Sequence, residues 1–355
     1  MGAAPLPRQG RTRREAPPAP RGDVRVGPLR PIPVLLAEHG LDPEAVLSSA
    51  GLPPRMLDDP ENRLPFDVVG RLLESCVAAA RCPHFGLLVG QRFTLDALGL
   101  LGQLMRNSPT LRDALRLATL HIEIHDRAAV SLTLDLGASH AALGYSLFDG
   151  AMPGADQILD GSIAIHYRIF RELCGPSWRP AVIRLSHSPP REIAPFRRFF
   201  GPNLEFDADI SAVVFDSRWL DHPIAGADPA RFAAILGAIE AIRSRSDRSF
   251  AGQVRRALHA LMFTGSASTT GLARLFGLRE RTLRRRLEAE GATVRGLVGE
   301  VRCDLAFHLL RNTSLSVTEI AAILHYSDSA VFGRAFRGWT GASPNAWRAL
   351  HATRG

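Results

Sequence analysis

The 355-residue chain contains no lysine, so all 43 of its basic residues are arginine. Aromatic residues make up only 7%, with three tyrosines and four tryptophans, and there are four cysteines, Cys76, Cys82, Cys174 and Cys303. The cysteines lie too far apart for a C-x-x-C cluster and are too few to staple a chain of this length, so they read as reduced thiols. No stretch approaches the ~18 uninterrupted apolar residues that a membrane-spanning helix needs. The opening Met1-Gly-Ala-Ala-Pro-Leu-Pro-Arg8 has no apolar core of a secretory signal, and Arg13-Arg14 is followed by Ala-Pro-Pro-Ala-Pro where a twin-arginine signal needs apolar residues. The expectation is a cytoplasmic protein without membrane contact. A P-loop, a dinucleotide fingerprint, a Gly-x-Ser-x-Gly elbow and a paired-carboxylate site are all missing, so no catalytic residue, no cofactor and no enzyme are expected.

What is present is an ordinary globular composition, 46% hydrophobic and 22% charged, long enough for two domains. The net charge of +8 is unevenly spread. Residues 250–355 hold fifteen Arg against seven acidic residues, the stretch Arg8 to Arg25 holds six Arg against Glu15 and Asp23, and the middle is mildly acidic. A basic C-terminal domain is the footprint of a phosphate-bearing partner, although a solvated Arg-rich surface fits the charge equally well.

Residues 1–28 are Pro, Ala, Gly and Arg with little to bury, which predicts a disordered tail. From Pro31 to about Ala118 apolar residues recur at helix spacing, as in Val68, Leu72, Leu73 and Cys76. Alternation in Val130–Leu136 and Ala142–Phe148, with Gly137-Ala-Ser between, predicts a hairpin. A helix near Ala155 to Leu173 and strands near Ala181 to Leu185 and Ala212 to Phe215 complete an α+β N-terminal domain over 29–225. A helix and a polar connection fill 226–249, and an all-α domain occupies 250–355.

That last domain contains an internal repeat. Gly271-Leu-Ala-Arg-Leu-Phe-Gly-Leu-Arg-Glu-Arg-Thr-Leu-Arg-Arg-Arg-Leu287 is echoed by Glu319-Ile-Ala-Ala-Ile-Leu-His-Tyr-Ser-Asp-Ser-Ala-Val-Phe-Gly-Arg-Ala-Phe336, with one extra residue in the second turn. Each copy reads as a short helix, a turn and a second helix, the helix-turn-helix plan. Ala273 and Ala321 let the helices cross closely, and Gly277 serves the first turn. Leu283 and Leu287 face inward in the first recognition helix, leaving Arg281, Arg284, Arg285 and Glu288 outside; in the second, Phe332 and Phe336 face inward and Ala330, Gly333, Arg334 and Arg337 lie outside. An Arg fork can pair with both major-groove acceptors of guanine or hold phosphate. Ser316-Val-Thr-Glu319 is a capping box, Ser327-Asp328 offers a second cap, and Arg279 is a poor one. Val298 to Leu310 reads as a helix joining the copies.

Residues 270–350 thus resemble the AraC/XylS family of bacterial transcription regulators, whose DNA-binding domain is two such units joined by a helix. The resemblance rests on Arg302-Cys-Asp-Leu-Ala306, Leu309-Leu-Arg311, Ser316–Leu324, Tyr326-Ser-Asp328, Phe332–Arg337 and Trp339–Pro344 with Arg348. It implies base contacts at Arg281, Arg284 and Arg285 in the first unit and at Ser329, Ala330, Gly333 and Arg334 in the second. The sequence departs from the family pattern at His325, where Gly is usual in the turn, at Gly333 inside a helix and at Arg279 in place of a Ser cap. Residues Gly99–Gly102 with Asn107–Leu115, and then Ala194–Gly201 with Phe206 and Leu220–Pro223, are similar to the arabinose-binding-like N-terminal domain of ornithine-utilisation and virulence regulators. This implies an effector-binding or dimerising role and a homodimer, and leaves RNA polymerase open as a partner beside promoter DNA.

Tyr145, His166, Tyr167 and Trp178 are candidates to line an effector pocket, with buried core as the competing assignment. His121 and His125 lie four apart, as helix-borne metal ligands do, but the sequence places no third ligand, so no metal is expected. The combined expectation is a regulator that binds operator DNA in response to a small molecule. The alternative is a constitutive DNA-binding protein whose N-terminal domain only dimerises.

Overall fold

The computed structural model describes residues 22–351 apart from 128, 136–138, 148–151, 209, 247–248, 263–267, 277 and 314. The expected hairpin turn at Gly137-Ala138, the turn residue Gly277 and the tail up to residue 21 therefore lie outside the described residues. The strands are β1 (Asp23–Arg25), β2 (Arg63–Pro65), β3 (Ala129–Asp135), β4 (His140–Leu147), β5 (Val182–Arg184), β6 (Leu204–Glu205) and β7 (Ser211–Asp216). Helices before residue 225 are α1 (Ile32–Glu38), α2 (Pro43–Ser49), α3 (Phe66–Ala80), α4 (Phe85–Gln91), α5 (Leu100–Arg106), α6 (Leu111–His121), α7 (Ala155–Cys174) and α8 (Ala194–Phe200). Beyond it come α9 (Pro229–Ser246), α10 (Phe250–Met262), α11 (Thr269–Leu275), α12 (Glu280–Glu288), α13 (Val294–Asn312), α14 (Val317–Ile323), α15 (Ser329–Thr340) and α16 (Pro344–His351). The α+β body followed by a helical domain is the expected fold class.

The predicted alternating segments pair as β3 and β4, antiparallel, with Ala129 opposite Leu147 and Asp135 opposite Ala141. They form one side of a five-stranded sheet of order β3-β4-β7-β5-β6, in which only β5 and β6 are parallel. Helix α7 crosses this sheet and carries two buried stripes. Ile163, Tyr167, Phe170 and Cys174 follow helical spacing on one side, Ile158, Ile165, His166 and Ile169 on the other. Helix α4 packs against α7 almost backbone to backbone. A Cβ on Gly90 would sit 2.4 Å from the Gly161 carbonyl oxygen, so only glycine permits the approach.

One boundary of the sequence reading is corrected. Residues 23–28, assigned to the disordered tail, are part of the fold. Strand β1 pairs with β2, Val24 also bridges Asp126, the Arg25 amide donates to the His125 carbonyl at 2.9 Å, and Val24, Val26 and Leu29 join the main core. Three-residue strands have too little periodicity to register in sequence; their partners lie 40 and 100 residues away.

The connecting helix α9 is docked. Ile239 is fully buried between Leu104 of α5 and Leu117 of α6. Helix α6 also packs against α10, the first helix of the C-terminal domain, and Leu120 touches both that domain's core and the α9 cluster. Ile210, just before β7, packs into the C-terminal core. Among the described residues no single helix is long and apolar enough to cross a membrane; the one bent pair with the length and composition to do so, α3 with α4, is packed in the main core.

Candidate nucleic-acid interface and effector cavity

The repeat seen in sequence is a repeat in space. In the first unit the Leu278 amide donates to the Ala273 carbonyl at 2.8 Å; in the second the Tyr326 amide donates to the Ala321 carbonyl at 2.9 Å. The same bond, closing the same helix end on the same small residue, reverses the chain in both turns. In the second turn His325 stands at φ 55°, the left-handed backbone that glycine usually supplies. Arg302 of α13 holds it there, donating to the His325 carbonyl at 3.0 Å while its guanidinium lies 4.7 Å over the Tyr326 ring.

Past the turns the caps differ as expected. Asp328 accepts from the Val331 amide at 2.7 Å and starts α15, whereas Arg279 gives α12 no side-chain cap. Ser316 and Glu319 form the reciprocal capping box on α14, and the bonds from Ser316 hold the Glu319 carboxyl below its ordinary range. Inward, Leu283, Leu287, Phe332 and Phe336 are buried; Phe336 meets Phe307 of α13 and Trp347 of α16 edge-on at 5.5 and 6.0 Å. Outward, Arg281, Arg284 and Arg285 are exposed on α12; on α15 Ala330 and Arg334 are exposed, and Ser329 and Gly333 are half-buried. A methyl on Gly333 would meet nothing within 4 Å, so the stripe is open there. Arg286 is set apart: it lies 5.6 Å over the Phe250 ring of α10 and faces the domain body.

Helix α13 starts one turn earlier than Val298, because Thr293 caps it by accepting from the Gly296 amide at 3.1 Å. Its 19 residues span about 28 Å at ~1.5 Å each. Arg348 braces its far end, donating to the Leu310 and Leu315 carbonyls.

The N-terminal domain contains a cavity of about 110 Å³ between α7, α3, β1 and the segment 122–126. Its walls are mostly apolar, including Phe66, Val69, Leu73, Ile122, Ile158 and Ile165. One end is polar, with Arg25, His125, Asp126, Tyr145, Ser162 and His166. The Tyr145 hydroxyl donates to Asp126 Oδ2 at 2.5 Å, and Arg25 pairs with Glu61. Burial, helped by the neighbouring Arg25 and Arg63 charges, pushes the His125 imidazole down to about 3. Burial likewise holds His166 at about 4, against the opposing effect of its hydrogen bond to the Leu143 backbone. Both rings are neutral near pH 7.

Of the four residues considered for an effector pocket, the structure brings Tyr145 and His166 to this cavity and not Tyr167 or Trp178. Successive helical residues point ~100° apart, so Tyr167 turns away from His166 into an aromatic cluster with Trp178, Phe199 and Phe200. Trp178 is fully buried and stacks on Phe170 at 4.7 Å. Arg25 and Asp126 were missed because their positions depend on the long-range pairing of β1. Of the two histidines weighed as metal ligands, His121 closes α6 and His125 lines the cavity; among the described residues no group of three His, Cys, Asp or Glu could hold a metal.

Two helix-turn-helix units of one geometry, behind a domain with a ligand-sized cavity, define a DNA-binding transcription regulator. Family descriptions agree with this: "arabinose-binding domain of AraC transcription regulator, N-term" matches residues 40–224, and "helix-turn-helix domain" matches 272–350. The chain is 31% identical to the ornithine utilization regulator of Pseudomonas aeruginosa, over 88% of this chain and 93% of that one. It is 28% identical to the HTH-type transcriptional regulator VirS of Mycobacterium tuberculosis, over 90% of this chain and 95% of that one. The crystal structure of transcriptional regulator CdpR from P. aeruginosa is 25% identical, covers 91% of this chain and 98% of its own, and superimposes with a TM-score of 0.48. The chain belongs to the AraC family of transcription regulators, a family of DNA-binding proteins rather than enzymes.

Proposed function

We propose that α12 and α15 read two neighbouring major-groove segments of an operator, with Arg281, Arg284 and Arg285 facing the first and Ser329, Ala330, Gly333 and Arg334 the second. The observation that carries this reading is the shared turn geometry followed on each second helix by a buried pair four apart, Leu283 with Leu287 and Phe332 with Phe336; counted from these pairs, Arg285 and Arg334 hold equivalent positions on two outward stripes. A rigid spacer of about 28 Å suits helices entering grooves about one DNA turn, ~34 Å, apart.

The N-terminal cavity is the effector site of this reading, within a sensing domain that runs from residue 22 to about 225. Segment 122–126, which forms one wall, is the direct continuation of α6, and α6 packs against α10 at the head of the DNA-binding domain. A ligand that shifts this wall bears on α10 through Leu120, which touches both cores. The purely dimerising alternative leaves the cavity and its uncommitted polar atoms without a role. A second copy of the chain and RNA polymerase are the further partners expected at a promoter, in the cytoplasm.

Selection of binding sites from random duplex DNA by the full chain tests the reading. A motif of two blocks about 10 base pairs apart is the expected outcome. A single block, or no enrichment, would overturn the two-helix arrangement.

A further inference from the structure

The cavity also carries information about what it binds. Three buried side-chain nitrogens without a hydrogen-bond partner among the described residues, Arg25 Nε, His125 Nδ1 and His166 Nδ1, belong to residues that line this one cavity. Native proteins tolerate few such atoms, and three gathered at one end of an apolar chamber point to a group that completes them. Each of the three residues is more than nine-tenths buried.

Their chemistry is specific. Arg25 Nε can only donate. The His166 ring is neutral and its Nδ1 has no partner, so that atom offers a donor or an acceptor according to the tautomer. The charged groups at this end are already engaged: Arg25 is paired with Glu61, and the Asp126 carboxylate accepts from the Tyr145 hydroxyl. A carboxylate head would stand beside the Asp126 carboxylate in apolar surroundings, and an ammonium head, which only donates, would leave Arg25 Nε unserved; each would also carry the desolvation cost of a buried charge. A hydroxyl or primary amide, which both donates and accepts, serves Arg25 Nε and His166 Nδ1 in either tautomer with no charge of its own. The remaining walls, Phe66, Val69, Ile158 and Ile165 among them, suit an apolar body. The volume, about 110 Å³, is of the order of the ~150 Å³ engineered cavity that admits benzene, which limits that body to about one small ring.

We infer that the effector is a small uncharged amphipathic molecule, an apolar body of about one ring bearing a single hydroxyl or amide that is held between Arg25 and His166. The inference rests on the proposal that this cavity is the effector site, and the two can fail separately.

The test uses the full-length protein and three probes that share one ring: cyclopentanol, cyclopentanecarboxylate and cyclopentylammonium. Ligand-observed NMR titration gives the affinity of each for the wild-type chain, His166→Phe and the cavity-filling Ile165→Trp, with folding of each variant checked by circular dichroism. Cyclopentanol is expected to bind at least about tenfold more tightly than either charged probe, to lose about tenfold in His166→Phe, and to lose binding in Ile165→Trp. Tighter binding of the carboxylate or the ammonium, lost in Ile165→Trp, overturns the ligand class and leaves the cavity as the effector site. Binding of cyclopentanol that Ile165→Trp does not change overturns the cavity itself. No binding of any probe overturns the ligand class, the three nitrogens then being served by water alone. The ranking of the three probes on the wild-type chain decides the class even if a variant does not fold.

Discussion

Arg285 and Arg334 hold equivalent positions but unequal surroundings. On α12, Arg285 has Arg281 and Arg284 exposed on the same stripe; on α15, Arg334 is flanked by Ala330 and Gly333, which carry no donor. If each bidentate base contact contributes ~1–3 kcal/mol, Arg334→Ala removes nearly all direct readout from its half-site, whereas Arg285→Ala blurs one or two base pairs. Carrying both variants through selection from random DNA checks this: the expected outcome is a lost half-site for Arg334→Ala and a retained but degraded one for Arg285→Ala. The opposite pattern would show that the second unit reads DNA by other atoms. These side chains were legible in the sequence because a recognition helix needs only its own 3.6-residue period to separate inward Leu283 and Leu287 from outward Arg. Tyr145, on β4, and His166, on α7, could be singled out only as polar ring-bearing residues within a strand and a helix, which does not say that they meet at one cavity. Arg25 and Asp126 were not, since nothing local in Asp23-Val-Arg25 announces a partner near residue 126.

Among the elements, the helix starts carry the clearest differences in stability. Asp328 and Ser316 each satisfy amides that would otherwise go unbonded at the starts of α15 and α14, while α12 begins at Arg279 without such a bond. Asp328→Ala should destabilise the full chain by about 1 kcal/mol, and Arg279→Ser should stabilise it by up to about 1 kcal/mol, because Ser offers the missing acceptor. Chemical denaturation of the two variants beside the wild type measures both; a neutral Arg279→Ser would mean that the first turn of α12 is already satisfied. Capping chemistry lies within four residues, which is why these ends could be read in advance. The docking of α9 could not: Ile239 meets Leu104 and Leu117 from more than 100 residues earlier, and no short-range pattern encodes that contact. Tyr167 and Trp178 show the complementary limit, since the helical period separates residues 166 and 167 by direction but does not say which direction opens on a cavity.

At the scale of the whole molecule, three histidines give stability an optimum in pH. His125 and His166 are held at about 3 and about 4 in the folded chain, below the ordinary ~6.5 of an unfolded one, so their contribution is full above ~6.5 and lost as pH falls toward those values. His187 behaves oppositely. Burial disfavours its charge, but the Asp160 carboxylate 2.8 Å away lifts it to about 9, so its contribution is full below ~6.5 and lost as pH rises through 9. The melting temperature should therefore peak near pH 6.5. Asp160→Asn should flatten the alkaline side and, because burial holds the Asp160 carboxyl above its ordinary range, steepen the acid side; a decline between pH 6.5 and 9 that survives in Asp160→Asn would remove this pair as its cause.

Sequence-specific recognition by the two arginine-bearing helices is tested most directly by titrating the full chain against its selected duplex and a scrambled duplex of equal length, by fluorescence anisotropy over a range of salt. Both affinities should fall as salt rises, because phosphate contacts release counterions, with the selected duplex bound at least ~10³-fold more tightly at physiological salt. Equal affinity for the two duplexes at every salt concentration would contradict base readout and reduce the C-terminal domain to a basic surface.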